Sequence, residues 1–357
     1  MRRLQMVWFM QLALMAFLLA GFGVRSSAAE PLPALAADLS RTTVSGLSSG
    51  GYMAGQFQVA HSRTVIGAGI VAGGPYACAH TPGGEVNPFW AVVIPWNLNR
   101  AQNSCMEDGW LFSSVPDAGE LLDYARTLAG RGKIDPLDGL SGDKVYLFSS
   151  SADDTVESGV VEEAKAFYLA GGVAEANIRY QTHDSAAHSF LTENQGLACG
   201  QSGAPFLNDC DFDQAKAVLE WLYGSLEPAG NAETGGFIRF EQADYSSDPG
   251  EADLGNEGIA YIPQSCRMQS GCAVHIVFHG CKQGLDAIGE TFVKGSGYAR
   301  WAESNRIALL FPQAVSSTLN PNGCWDWWGY TGRDFLTRQA PQIRAVRGML
   351  DRLGQQP

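Results

Sequence analysis

Gly46-Leu47-Ser48-Ser49-Gly50-Gly51 is the most informative segment of this 357-residue chain. It fits the pattern G-x-S-x-G, in which a serine occupies a sharp turn between a strand and a helix. Its surroundings agree, because residues 42–44 favour a β-strand and residues 52–60 are typical of a helix. We therefore predict that Ser48 is a nucleophile. The same pattern also occurs by chance in Gly-rich turns, so the assignment depends on partners elsewhere in the chain.

An acidic side chain follows a second strand pattern. Residues 144–148 have the composition of a buried strand and lead into Asp153 and Asp154. A loop after a parallel strand opens at the carboxyl edge of the sheet, where α/β proteins place their chemistry. Asp153 is preferred because it comes first after the strand and because Val156 can anchor the loop in the core. Asp154 is the alternative, and both aspartates are also common in turns and helix caps.

A histidine follows another strand pattern. Residues 177–182 predict a strand, and His188 lies in the loop after it, with His183 as its rival. Ser48, Asp153 and His188 occur in the order Ser, Asp, His, which is that of the triad in α/β-hydrolases. A serine hydroxyl needs an adjacent base, and imidazole can also return the proton to the leaving group. A buried carboxylate holds the imidazole in the required tautomer.

Donors for a developing oxyanion are expected from a later segment. Residues 272–278 predict a strand that ends in His279-Gly280-Cys281-Lys282-Gln283-Gly284. This resembles the H-G-G-type loop whose backbone N–H joins that of the residue after the nucleophile. We assign the two donors to the amides of Ser49 and Cys281. An ordinary Gly turn between a strand and a helix would have the same composition.

The order of these segments predicts a rearranged α/β fold. In α/β-hydrolases the oxyanion loop normally precedes the nucleophile, whereas here it comes more than half the chain later. Alternating strand and helix patterns predict a mostly parallel sheet flanked by helices, and residues 236–240 and 258–262 favour an antiparallel opening pair. We therefore predict a circularly permuted α/β-hydrolase, a rearrangement that can keep every core contact. Residues 30–357 form the predicted catalytic domain.

Together these features resemble the extracellular poly(3-hydroxybutyrate) depolymerases of the single-domain, circularly permuted type. The resemblance also includes the segment Asn320-Pro321-Asn322-Gly323-Cys324-Trp325-Asp326-Trp327-Trp328-Gly329. It spans nearly the whole chain after residue 29. Each motif is weak by itself, but their combination in the permuted order is specific.

The resemblance implies a role for each segment. The implied site residues are the triad Ser48, Asp153 and His188, the oxyanion donors Ser49 and Cys281, and the substrate-binding tryptophans Trp325, Trp327 and Trp328. Which tryptophan faces the substrate stays open, and the Trp-rich segment can also belong entirely to the core. The implied reaction uses no metal and no organic cofactor.

Residues 1–29 have the pattern of a secretory signal. A positive start, an apolar stretch over residues 12–24 and a small-residue site at residues 27–29 precede Glu30. An uncleaved anchor is the alternative, because residues 6–24 approach the ~20 residues needed to cross a bilayer. The cleavage site favours removal. We predict a secreted protein, extracellular or periplasmic, without a stable membrane anchor.

The charge of the chain limits its partners. The formal net charge is -13, and removal of residues 1–29 takes away three arginines and no acid, which makes it -16. Such an acidic surface opposes nucleic-acid binding, which relies on Lys and Arg to neutralise phosphates. A neutral polyester polymer or oligomer as substrate meets no such penalty. The oligomeric state stays open.

The eight cysteines all follow residue 29, and an even number favours disulfides in an exported protein. The absence of a C-x-x-C pair from the sequence argues against a metal site. Proximity suggests the pairs Cys199–Cys210 and Cys266–Cys272. The remaining cysteines suggest Cys78–Cys105 and Cys281–Cys324. The last pair would tie the oxyanion loop to the Trp-rich segment.

These features predict a secreted serine esterase that hydrolyses poly(3-hydroxybutyrate) or its oligomers through an acyl-enzyme. One alternative is another secreted esterase, acting on feruloyl or acetyl esters of plant polysaccharide. A second is a non-catalytic surface-binding protein on a hydrolase fold, which the full set of triad residue types disfavours. Preference for hydroxyacid length is too fine to predict, because one methylene in a pocket changes binding by only ~1–3 kcal/mol.

Overall fold

The computed structural model describes residues 29–107, 114–230, 234–246 and 249–357. Residues 1–28, which contain most of the predicted secretory signal, lie outside the described residues. The strands are β1 Thr42–Leu47, β2 Val65–Val71, β3 Lys144–Ser150, β4 Ile178–His183, β5 Phe190–Thr192, β6 Leu197–Ala198, β7 Leu207–Asp209, β8 Gly236–Glu241, β9 Glu257–Ile262, β10 Ala273–Phe278 and β11 Ile307–Phe311. The helices are α1 Ser49–Ala60, α2 Trp90–Ser104, α3 Ala118–Gly130, α4 Ser158–Ala170, α5 Gln214–Tyr223, α6 Pro249–Ala252, α7 Gln264–Met268, α8 Leu285–Ile288, α9 Thr291–Gly295, α10 Tyr298–Asn305 and α11 Pro341–Gly354.

A large sheet carries the fold. Its eight strands lie in the order β4-β3-β2-β1-β10-β11-β9-β8, and a second, small sheet has the order β5-β7-β6. The first six strands in this order, β4 to β11, pair in parallel, whereas the β11–β9 and β9–β8 pairs are antiparallel. Helices cover both faces of the sheet. Two neighbouring residues of β2 show this, because successive side chains of a strand point to opposite faces. Gly69 of β2 lies against Val218 of α5, and the next residue, Ile70, lies against Gly55 of α1.

The strands are connected in a circularly permuted order. The chain enters the sheet near its centre with β1, builds outward to β4, and later returns from the far edge through β8 and β9 to β10 and β11. The segment before β1 lies beside the end of α11, where the N–H groups of Leu35 and Ala37 both donate to the carbonyl oxygen of Leu353 at 3.1 Å. Joining those segments and opening the chain before β8 would keep the same contacts. The predicted fold class and the antiparallel pair are confirmed.

A buried polar cluster fastens β1 to β10. The fully buried ring of His275 lies between two hydroxyl groups, with Nδ1 2.7 Å from Oγ1 of Thr43 and Nε2 2.8 Å from Oγ of Ser45. The Ser45 hydroxyl also pairs with that of Tyr298 at 2.7 Å. Burial lowers the pKa of His275 to about 3, so the ring is neutral near pH 7. Both ring nitrogens therefore have partners inside the sheet, where water cannot supply them.

Helix α1 is buried along its whole length, so its polar side chains need partners inside the protein. The side-chain amide of Gln58 donates to Oδ2 of Asp143 at 2.8 Å, and its oxygen accepts from the hydroxyl of Tyr168 at 2.7 Å. Burial raises the pKa of Asp143 to about 7, and the hydrogen bond from Gln58 offsets this only in part. Near neutral pH the ionised form of Asp143 is therefore a cost to the folded state.

Replacing Asp143 with asparagine is expected to stabilise the protein above neutral pH. Asparagine keeps an oxygen for Gln58 and has no charge to bury. The pKa of Asp143 is about 7 in the folded state and about 3.9 in an unfolded chain. Wild type therefore loses stability as the pH rises through this window. We expect Asp143→Asn to raise the free energy of unfolding by on the order of 2–4 kcal/mol at pH 8 and by little at pH 4. Urea denaturation at both pH values measures the effect, and an equal gain at both would contradict charge burial as its cause.

Among the described residues, none of the helices combines the length and the apolar character that crossing a membrane requires.

Candidate active site

The turn between β1 and α1 holds Ser48 in a strained backbone conformation. Its φ of 57° and ψ of -122° lie outside the regions that residues with a side chain normally adopt. Two hydrogen bonds fix this conformation. The N–H of Ser48 donates to the carbonyl oxygen of Val71 at 2.9 Å, and its own carbonyl accepts from the N–H of Tyr52 at 3.0 Å. The half-buried serine side chain is thereby presented at the carboxyl edge of the sheet.

The two glycines of the motif are required by close backbone contacts. A Cβ atom at Gly46 would lie less than 3.0 Å from the carbonyl oxygen of Gly50. A Cβ atom at Gly50 would come equally close to the carbonyl oxygens of Phe278 and His279, at the end of β10. The G-x-S-x-G pattern is thus explained by packing of α1 against β1 and β10, as the sequence pattern predicted.

Asp153 and His188 form a buried pair after β3 and β4. Oδ2 of Asp153 lies 2.8 Å from Nδ1 of His188, and both side chains are more than nine-tenths buried. The other carboxylate oxygen accepts from the N–H groups of Thr155 at 2.8 Å and Val156 at 2.9 Å, which fixes its orientation. A carboxylate can only accept, so Nδ1 carries the hydrogen and Nε2 keeps a lone pair. That is the tautomer that a general base needs.

The two rival residues have other positions. Asp154 is exposed, and its side chain accepts from the hydroxyl of Thr155 at 3.3 Å. His183 ends β4, and its Nδ1 accepts from the N–H groups of Ser185 at 3.2 Å and Ala186 at 3.1 Å. His183 therefore closes the turn that leads to His188. The structure pairs Asp153, and not Asp154, with a histidine.

Ser48, His188 and Cys281 line one cavity of about 500 Å³. Much of the remaining wall is apolar and was not predicted from the sequence. These apolar side chains include Leu98, Met106, Phe206 and Leu319. Their positions follow from helix α2 and several loops folding over the carboxyl edge of the sheet.

The loop over residues 279–284, which is the predicted oxyanion loop, leaves one of its amides without a partner among the described residues. The N–H of Gly280 donates to Oε1 of Gln283 at 2.7 Å, and that of Lys282 donates to the carbonyl oxygen of Asn322 at 2.7 Å. Within the described parts of the chain, the N–H of Cys281 between them has no acceptor. The N–H of Ser49 belongs to the first turn of α1, where helical amides lack intrahelical acceptors. The assignment of these two amides as oxyanion donors stays a prediction.

Comparison with known proteins agrees with this geometry. A scan against protein-family models finds no match. A poly(3-hydroxybutyrate) depolymerase of Delftia acidovorans is 40% identical over 331 residues, which is 91% of this chain and 62% of that relative. A polyhydroxybutyrate depolymerase of Talaromyces funiculosus is 33% identical over 353 residues, which is 94% of this chain and 96% of that relative. The chain belongs to the polyhydroxybutyrate depolymerase family.

Solved structures of polyhydroxybutyrate depolymerases share the fold. One is a PHB depolymerase from Penicillium funiculosum, with a TM-score of 0.78, and another is a serine-to-alanine variant of a PHB depolymerase in complex with an R3HB trimer, with a TM-score of 0.79. Each is 31% identical to this chain, and each match covers 92% of this chain and the whole of the solved chain. The resemblance found in the sequence is confirmed.

Two side chains that sequence reasoning did not assign order the oxyanion loop of this family member. Besides accepting from Gly280, the amide of Gln283 donates to the carbonyl oxygens of Pro205 at 3.0 Å and Phe206 at 3.1 Å. Nδ1 of His279 lies 2.7 Å from the carbonyl oxygen of Gly280, and its Nε2 accepts from the N–H of Ala314 at 3.1 Å. Burial lowers the pKa of His279, which favours the neutral ring that these two contacts require. The sequence signal that could have identified His279 and Gln283 is that both belong to the His279–Gly284 motif.

The Trp-rich segment is attached to the catalytic turn, and its tryptophans divide into two groups. The N–H of Trp325 donates to Oγ of Ser49 at 3.3 Å, but its indole is fully buried against Phe278 and His279. The prediction that Trp325 binds substrate is therefore corrected, because a side chain without exposed surface cannot contact a ligand in this structure. Trp327 and Trp328 do line the cavity.

Trp327 forms part of a stacked wall. Its ring lies over that of Tyr52 with 4.0 Å between centroids and an interplanar angle of 9°. It meets Trp328 edge-on at 5.9 Å. The hydroxyl of Tyr52 donates to the carbonyl oxygen of Cys105, so the wall is anchored at its base. Aromatic pairs of this kind add rigidity to an apolar binding surface.

All eight cysteines form disulfides, in the four predicted pairs. The Cys281–Cys324 bond joins the oxyanion loop to the Trp-rich segment. Among the described residues, one group of potential metal ligands comprises His183, Cys199 and Cys210. The two sulfur atoms of that group are bonded to each other, so no thiolate is available to bind a metal ion.

Removing the Cys281–Cys324 disulfide is expected to lower kcat far more than removing the Cys266–Cys272 disulfide does. The double variant Cys281→Ser/Cys324→Ser frees the residue that carries the oxyanion donor, and loss of one such donor costs roughly 10²–10³-fold in kcat. The control Cys266→Ser/Cys272→Ser removes a disulfide at the start of β10, away from the cavity. Steady-state ester hydrolysis is measured well below both melting temperatures. Equal kcat values in the two variants would contradict a role for the disulfide in positioning.

Proposed function

We propose that this chain is an exported serine esterase that hydrolyses poly(3-hydroxybutyrate) or its oligomers. One observation carries the proposal. The strained turn at Ser48, the Asp153–His188 pair and the unpaired amide of Cys281 meet at one cavity, in a chain that belongs to the polyhydroxybutyrate depolymerase family. A hydroxyl nucleophile, an imidazole base and a carboxylate that orients the base are the side chains that acyl transfer requires.

The reaction proceeds through an acyl-enzyme. Nε2 of His188 takes the proton of Ser48 as Oγ attacks the ester carbonyl carbon, and Asp153 stabilises the imidazolium. The carbonyl oxygen becomes an oxyanion that accepts from the N–H groups of Ser49 and Cys281. Collapse breaks the bond to the alcohol oxygen, which leaves with the proton from His188. Water then attacks the acyl carbon with the same proton transfers, releasing a carboxylic acid and the free serine.

The cavity suits an uncharged aliphatic ester. A hydroxybutyrate unit offers a methyl group and ester oxygens but no ring and no charge, and the walls are mainly apolar with a few polar groups near Ser48. Trp327 and Trp328 supply aromatic surface to the same cavity that Ser48 lines. A relative of this fold has been solved in complex with an R3HB trimer, which supports hydroxybutyrate esters as the substrate class.

Ser48→Ala is expected to abolish hydrolysis of a hydroxybutyrate trimer while the protein remains folded. Loss of a serine nucleophile lowers kcat by at least about 10⁴-fold. Ser141→Ala, at an exposed position in the short 3-10 helix Leu137–Gly142, is the matched control and should retain activity. A fluorophosphonate probe should label wild type and the control but not the Ser48 variant. Substantial trimer hydrolysis by Ser48→Ala would refute the nucleophile, and failure of wild type to react with the probe would favour a non-catalytic protein.

The alternative esterase activities are separated by substrate. Wild type is tested on the hydroxybutyrate trimer, on methyl ferulate and on an acetylated xylan under the same conditions. We expect turnover of the trimer at the highest kcat/KM. Turnover of a carbohydrate ester without turnover of the trimer would favour the feruloyl or acetyl esterase alternative.

An apolar surface beside the cavity provides a site for adsorption to the solid polymer. Large hydrophobic side chains that are exposed cluster on residues 86–96, with Phe89 71% and Trp96 50% exposed. Phe89 immediately precedes α2, and Trp96 lies within the helix seven residues later. The two side chains therefore lie on the same face. The other side of α2 is held to the Trp-rich segment, since Asn97 donates to the carbonyl oxygen of Trp328 at 2.9 Å. Ala101 of α2 lines the cavity, so the exposed face adjoins the site of hydrolysis.

Phe89→Ser/Trp96→Ser is expected to reduce hydrolysis of solid polymer far more than hydrolysis of the soluble trimer. Two aromatic side chains that leave water on adsorption account for a loss of about tenfold or more in affinity for the polymer surface. Met268→Ser is the control, because Met268 is 69% exposed but lies in α7, next to the start of β10. Sedimentation of polymer granules measures adsorption. Equal adsorption of the double variant and the control would contradict this surface.

Export agrees with the chemistry of the chain. Four disulfides use every cysteine, which is typical of an oxidising compartment. The predicted signal over residues 1–29 would direct the protein there, to the medium or the periplasm. A solid polyester outside the cell is accessible to such an enzyme.

A further inference from the structure

Lys282 is the one lysine of the chain without a partner among the described residues. Three lysines form ion pairs with carboxylates and two lie over tryptophan rings; these are Lys133, Lys165, Lys294, Lys144 and Lys216. The chain contains 37 acidic residues against 24 lysines and arginines. Lys282 differs from the other five because its ammonium group has neither a carboxylate nor an aromatic ring as a partner among the described residues.

Lys282 also lies at the cavity. It is the only lysine or arginine among the described residues that line it, and it directly follows Cys281, whose amide is the proposed oxyanion donor. Its side chain is exposed to solvent. The single acidic residue in the same described lining is Glu107. One side of the cavity therefore carries a positive charge that forms no ion pair with a carboxylate of the described residues.

The backbone holds Lys282 in a conformation that other residue types adopt more easily. Its φ is 57°, in the left-handed region that favours glycine and asparagine. The hydrogen bond from its N–H to Asn322 and the disulfide of Cys281 keep it there. Strained residues that the surrounding structure enforces cluster at functional sites. A long cationic side chain at this strained position calls for a functional reason.

We propose that Lys282 binds the free carboxylate of short hydroxybutyrate oligomers while one of their esters lies at Ser48. This inference rests on the proposed function. Each hydrolysis of the polyester leaves a new hydroxyl end and a new carboxylate end. In an oligomer acid the carboxylate always lies on the alcohol side of every ester, so it leaves with the first product. Internal units of the polymer have no such charge, and Lys282 therefore favours the acid ends of soluble fragments.

The overall charge of the protein makes such a site useful. An oligomer acid is an anion at neutral pH, and the chain has a formal net charge of -13. The field of the protein therefore opposes entry of the oligomer, whereas a local cation offsets this repulsion within the cavity. The exposed position of Lys282 keeps the interaction modest and sensitive to salt.

The test compares two trimers that differ only in charge. One is the hydroxybutyrate trimer acid, and the other carries a primary amide in place of its carboxylate. We expect Lys282→Asn to raise KM for the acid relative to KM for the amide by about two- to fivefold at low ionic strength. Asparagine tolerates the left-handed backbone, so the melting temperature should not fall. Lys282→Arg should keep the wild-type ratio, and high salt should move wild type toward the ratio of the asparagine variant.

Lys165→Asn is the matched control, because Lys165 lies on α4 and pairs with Glu175. It should keep the wild-type ratio of the two KM values. If Lys282 acted on the oxyanion, or only on the shape of the loop, Lys282→Asn would change both substrates by the same factor, and the proposal would be overturned. Wild type that hydrolysed neither trimer would overturn the proposed function itself, which is a different outcome.

Discussion

The close approach of helix α1 to the end of strand β10 is the contact on which the rest of the site depends. β1 and β10 pair in parallel, with Gly46 opposite Phe278, and the first turn of α1 then rests on the carbonyl groups that end β10. This is possible only because Gly46 and Gly50 have no side chains. As a result, the amide that follows the nucleophile and the amide of Cys281 lie at one edge of the sheet. The proposed catalytic site thus combines two segments that lie far apart in the permuted chain.

Three residues around this contact have a strained backbone conformation. Ser48, Phe206 and Lys282 all line the cavity, and all have φ between 55° and 57° although none is a glycine. Each of their N–H groups is bound to a carbonyl oxygen, of Val71, Gly203 and Asn322 respectively. Such conformations cost of order 1–3 kcal/mol each and persist only where the surrounding structure enforces them. In the proposed reaction, such fixed geometry means that the donors and the nucleophile need little rearrangement.

A polar framework lies beneath the apolar wall of the cavity. The buried carboxylate of Asp326 accepts from the N–H groups of Gly329 at 2.6 Å and of Tyr330 and Thr331 at 3.0 Å. It also accepts from the hydroxyl of Thr331 at 2.6 Å. Burial raises the pKa of Asp326 to about 6, against these hydrogen bonds, which favour the charged form. These bonds shape the loop that presents Trp328. The aromatic wall of the cavity is therefore positioned by hydrogen bonds buried behind it.

Much of this site could be predicted because its signals are local. Strand composition, turn chemistry and the order of Ser48, Asp153 and His188 depend on neighbouring residues, and the spacing of the cysteines was enough to suggest their pairing. Exposure could not be predicted in the same way, because it depends on which segment packs over each side chain. Trp325 and Trp327 are two residues apart and chemically identical, yet only the second reaches the cavity. The unpaired charge of Lys282 and the cavity wall from α2 likewise arise from contacts between distant segments, which a one-dimensional pattern does not contain.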